Sequence, residues 1–110
     1  MQEREELKYK VLRTDKADSQ ITAIILSIAK SFGREVALAS LEKLEKQIDA
    51  LSQTPEIGIV PADSFLRRNG FRVLITEKDL VFYKVNKEEM TVTVYAVTDQ
   101  RQDYISIVSG

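Results

Sequence analysis

The chain has 110 residues, 44% of them apolar, and 16 Lys and Arg against 17 Asp and Glu leave a formal charge of −1. Those figures fit one domain with a substantial core and exclude the broad basic field of a general nucleic-acid binder. Cys and His are both absent, which rules out disulfides, thiol nucleophiles, imidazole zinc sites and His-dependent triads. No apolar run reaches the ~18–20 residues of a membrane-crossing helix, and no basic stretch leads into an apolar leader. The expectation is a cytoplasmic protein with no membrane partner.

In chain order, residues 1–7 are charged and non-periodic and are expected to be disordered. Tyr9 and Val11 alternate with Lys8 and Lys10, so a short first strand is expected from Leu7 to Arg13, in need of a partner further along. Thr14 or Asp15 is the expected N-cap of a helix over Lys16 to Phe32, with Ile21, Ile24, Ile25, Ile28 and Phe32 at helical spacing. Gly33 stops it. A second helix is expected over Arg34 to Ser52, with Leu38, Leu41, Leu44, Ile48 and Leu51 on one stripe. A single Gly between two amphipathic helices implies an αα-hairpin.

Ile59 to Asn69 reads as an irregular connection carrying the Arg67-Arg68 pair. Gly70–Thr76, Leu80–Val85 and Thr91–Val97 are β-branched and aromatic runs between short polar breaks, the pattern of a β-meander. Gln102 to Val108 is expected to form a short helical tail. The expected fold is therefore one α+β domain over residues 1–110, a helical hairpin packed on a small antiparallel sheet in the order β-α-α-β-β-β.

The order of elements, the segment from Leu51 to Gly58 that closes the second helix, Phe71-Arg72, the run Val81 to Val85, and Val97 followed by Arg101 to Tyr104 together resemble the RelE/ParE toxin superfamily. These are toxins of type II toxin–antitoxin modules. The resemblance implies a toxin neutralised by a cognate antitoxin, which would contact the helical hairpin and the open edge of the sheet. It also implies one of two targets, mRNA in the ribosome or DNA gyrase. A non-toxic or degenerate binding module on the same fold is the alternative.

For the nuclease branch the resemblance implies a metal-independent endoribonuclease (an mRNA interferase) with no cofactor. Its candidate catalytic residues here are Arg72 for the phosphate, Arg101 for transition-state charge, and Tyr104 for stacking or proton donation. Strand alternation sends Arg72 and Leu74 to one face and Phe71, Val73 and Ile75 to the other. Two positions that are basic in the family's nucleases are Leu74 and Leu80 in this chain. Lys84 is a nearby cation whose face depends on strand register.

Overall fold

A computed structural model describes residues 8–100. The first strand, β1 (Lys10–Arg13), leads into helix α1 (Asp15–Phe32) and helix α2 (Arg34–Asp49), which ends in a 3₁₀ turn over Ala50–Ser52. A short helix α3 (Ser64–Arg68) precedes the strands β2 (Arg72–Ile75), β3 (Asp79–Asn86) and β4 (Thr91–Asp99). The expected disorder of residues 1–7 and the expected helical tail lie outside the described residues.

Local chemistry accounts for the element boundaries. Thr14 is the N-cap of α1, its Oγ1 accepting the Ala17 N–H at 3.0 Å. Gly33 sits at φ 97°, a backbone conformation that disfavours side chains, and it divides the two helices. The connection expected to be irregular contains α3 because Asp63 caps it, its Oδ1 accepting the Leu66 N–H at 3.0 Å. Leu66 is fully buried and anchors that single turn.

The sheet order is β1-β4-β3-β2. The three meander strands pair antiparallel as expected, but β1 lies parallel to β4, so the sheet is mixed. The reason is the segment between α2 and β2. It carries the chain back across the molecule, so β2 runs in the same direction as β1. Two hairpin turns then return β4 to that direction.

One face of the sheet packs under the hairpin, where Val81, Tyr83, Val92, Val94 and Val97 meet Ala17, Ile21, Leu44, Ile48 and Leu51. The other face holds a smaller cluster of Leu66, Phe71, Val73, Phe82 and Ala96 under α3. Burial of each such aliphatic side chain contributes about 1.5–3 kcal/mol. Three members of the expected helical stripes stay outside this core: Ile28, Phe32, which is 71% exposed, and Leu38, which is 48% exposed. Phe32 is the last residue of α1.

A β-bulge decides which residues of β4 face which way. Tyr83 pairs with Val94 but Phe82 pairs with Ala96, which leaves Tyr95 as the extra residue. Tyr95 and Ala96 then both lie opposite Phe82, and Val97 returns to the helix side. Helix α1 secures the irregularity. Thr14 Oγ1 donates to the Tyr95 carbonyl at 3.0 Å, and the Val97 N–H donates to Gln20 Oε1 at 2.8 Å.

Candidate functional site

Arg72 is the one expected catalytic residue among the described ones, and its guanidinium is bonded to carbonyls of its own chain. It shares the helix side of the sheet with Leu74, which packs against the main core. Its Nη1 donates to the Gly58 carbonyl at 2.6 Å and to the Glu56 carbonyl at 3.1 Å. Opposite it in register is Tyr83, whose hydroxyl accepts the Gly58 N–H at 2.8 Å. The two side chains grip one loop from both of its backbone polarities. Burial holds the Tyr83 phenol above its ordinary pKa, opposed by the Gly58 hydrogen bond and the Arg72 charge, so the phenol is neutral at physiological pH.

The loop is tight at that point. A Cβ on Gly58 would stand 2.6 Å from the Tyr83 hydroxyl and 2.8 Å from the Val73 carbonyl. Ile59 adds a bridge to Val73, with N–H···O bonds of 2.9 Å in both directions. Glu56 is drawn to Lys87 at 2.9 Å, and that hydrogen bond and charge hold its carboxyl below its ordinary pKa. Both of the Arg72 bonds run through Nη1, so that nitrogen is committed to the loop.

The open side of the sheet is built differently. Phe71 and Tyr95 meet edge to face, with ring centroids 5.5 Å apart and planes at 80°. Lys84 Nζ stands 4.8 Å from the first centroid and 5.1 Å from the second. Leu80 packs with the apolar cluster on this face, where a nuclease would carry a cation. Sequence reading left the face of Lys84 open. The Lys84↔Thr93 pairing and the bulge at Tyr95 bring it beside the rings.

Arg101 and Tyr104 lie outside the described residues. Arg67, from the basic pair before the sheet, donates to the Ala62 carbonyl at 2.6 Å and so helps hold α3. Among the described residues, no group of three or more acidic, His or Cys side chains is placed to hold a metal. No helix there is long and apolar enough to cross a membrane.

The model of the ParE toxin of type II toxin–antitoxin systems (parDE) matches residues 11–104. The chain belongs to the ParE toxin family. Solved structures with the same fold include the chromosomal ParDE toxin–antitoxin system from P. aeruginosa. That chain is 18% identical with a TM-score of 0.71, over 86% of this chain and 98% of its own length. The RelBE2 toxin–antitoxin complex from Mycobacterium tuberculosis matches at 17% identity and a TM-score of 0.58, over 84% and 99%. The intact E. coli RelBE toxin–antitoxin complex matches at 15% and 0.55, over 86% and 99%. No curated protein is significantly similar in sequence. This ParE-family chain is thus the toxin component of a type II module, on the RelE/ParE fold expected from its sequence.

Proposed function

We propose that this toxin arrests bacterial growth by binding a protein target rather than by cutting ribosome-bound mRNA. DNA gyrase, the target of the ParE-like branch, is the specific candidate. The observation that carries this reading is Arg72. Its guanidinium holds the Glu56 and Gly58 carbonyls on the helix side of the sheet. On the open face of the meander strands among the described residues, Lys84 is the single basic side chain, held by two rings. Cleavage by 2′-hydroxyl attack needs several placed charges around the phosphate, and losing one such donor typically costs about 3 kcal/mol of barrier. A ribonuclease built on Arg101 and Tyr104 would work without Arg72 at the phosphate and with Leu74 and Leu80 in place of two cations.

A cognate antitoxin protein is the expected neutralising partner, as in the ParDE and RelBE systems of the structural neighbours. A groove of about 330 Å³ between the hairpin and the β2–β3 turn, with Ile24, Ile28, Val36 and Leu44 in its wall, suits an apolar segment of such a partner. Localisation in the cytoplasm, with no cofactor, completes the proposal.

Induced expression of the full chain in a bacterial host tests it, with growth, mRNA 5′ ends and the supercoiling activity of purified gyrase as readouts. Growth arrest, loss of supercoiling and an unchanged set of mRNA ends are expected. New codon-aligned mRNA ends would establish the nuclease reading instead. Soluble chain without arrest would leave only a binding module on a toxin fold.

A further inference from the structure

The ammonium of Lys84 is positioned but not neutralised. None of the ion pairs among the described residues includes it. Two ring faces attract it by about 0.5–1 kcal/mol each at an exposed site. That is comparable with the side-chain freedom, up to ~2 kcal/mol, that a fixed lysine gives up. Ring faces compensate charge, but they leave ammonium N–H donors for an oxygen acceptor. Among the described residues no carboxylate is ion-paired with Lys84, and its position is set by the two rings.

A groove of about 570 Å³ leads from Lys84 along β3 and β4 to their connecting turn, with Leu12, Thr91, Thr93 and Tyr95 in its walls and Glu88 and Glu89 at the turn. Its two ends differ in charge. Lys84 and Tyr95 mark the cationic end. Glu88 and Glu89, with no ion pair among the described residues, mark the anionic end. Lys87 also borders the groove, but it is paired with Glu56 at 2.9 Å. Thr91 to Tyr95 is four strand steps, roughly 13 Å at ~3.3 Å each. An extended peptide of four or five residues matches that length.

We propose that this groove receives an extended segment of the toxin's protein target, with an acidic side chain on Lys84 and a basic side chain at Glu88 and Glu89. The inference rests on the protein-target reading above and specifies the chemistry of the target. A nucleic-acid strand fits the groove poorly. Its phosphates repeat one sign of charge, and binding them needs a row of cations, whereas this groove ends in two carboxylates. Leu12, 40% exposed on the neighbouring strand, offers an apolar contact for the middle of the segment.

The experiment measures the potency of growth arrest against inducer dose and the inhibition of purified gyrase, at matched soluble toxin and recorded melting midpoints. The variants are Lys84→Met, Lys84→Arg, Glu88→Lys with Glu89→Lys, and the surface control Lys46→Gln. Lys84→Met is expected to weaken both effects about tenfold, the scale of losing one well-placed charge contact. Lys84→Arg should recover most of that loss, and Lys46→Gln should match the parent chain. The double turn variant should weaken potency several-fold, and it does not depend on how Lys84→Met folds.

Parental potency in both Lys84→Met and the turn variant would overturn the inference and leave the protein-target reading intact. A more potent turn variant would also overturn it, because removing carboxylates helps a nucleic-acid ligand. Arrest without gyrase inhibition would remove gyrase as the target. Loss of arrest in the two variants would still support the groove in that case. A parent chain that does not arrest growth would overturn both readings.

Discussion

The two sides of the sheet use their charged side chains in opposite ways. On the helix side, Arg72 and Tyr83 hold the loop at Glu56–Gly58 through three hydrogen bonds of 2.6 to 3.1 Å. On the open side, Lys84 rests against Phe71 and Tyr95 and is ion-paired with no carboxylate among the described residues. A cation surrounded by its own chain's carbonyls maintains a fold. A cation fixed by ring faces keeps N–H donors, which the proposed target segment would use. The comparison shows that a basic residue in a toxin sheet is informative only once its face and its acceptors are known.

Substitutions on the helix side should damage folding first. Gly58→Ala forces a Cβ into the Tyr83 hydroxyl and the Val73 carbonyl, and overpacking of this kind should cost about 3 kcal/mol in a urea titration. Arg72→Gln leaves two loop carbonyls without their donor, with an expected loss of about 2 kcal/mol. Tyr83→Phe removes the acceptor of the buried Gly58 N–H, with an expected loss of about 1.5 kcal/mol by the same measurement. Lys84→Met, across the sheet, should change stability by less than about 1 kcal/mol. A loss at Lys84 equal to that at Arg72 would erase the distinction between the two sides.

The smallest expected effect concerns Asp79, which pairs in register with Asp99. Burial, and then the Asp99 charge, hold the Asp79 carboxyl above its ordinary value of 3.8. The folded chain therefore binds that proton more tightly than the unfolded chain. Ionised Asp79 lowers stability at neutral pH, and the deficit disappears as pH falls through the raised folded-state value towards 3.8. Asp79→Asn should raise stability by a few tenths of a kcal/mol at pH 7 and remove this contribution to the pH dependence. Melting midpoints across pH 3 to 7 would show both effects.

Much of the fold could be read from residue patterns. Helical spacing after Thr14, the Gly33 break and the three apolar runs yield the hairpin and the meander in order. The parallel placement of β1 was not legible, because it depends on the path of residues 53–71 rather than on any local pattern. Helix α3 was missed for a related reason: five residues are too few for periodicity. Its signal was Asp63 followed by Phe65 and Leu66, a cap and two apolar side chains.

The candidate site was less legible. Alternation correctly separated Arg72 and Leu74 from Phe71 and Val73, but it could not say which pair faces the helices. The acceptors of Arg72 lie 14 and 16 residues earlier in an irregular loop. The bulge that brings Tyr95 and Ala96 to one face is a property of pairing between strands. Glycine at position 58 was the available hint, since a close approach of side chain to backbone requires it there.

The most direct test compares growth arrest per folded molecule for Arg72→Gln and Lys84→Met, expressed at levels where soluble, folded toxin is equal by quantitative blotting. The account predicts that Arg72→Gln arrests growth like the parent once the folded amounts match, while Lys84→Met is weaker by about tenfold. Abolished arrest in Arg72→Gln with full arrest in Lys84→Met would contradict it, and would return Arg72 to the role of a phosphate-binding nuclease residue.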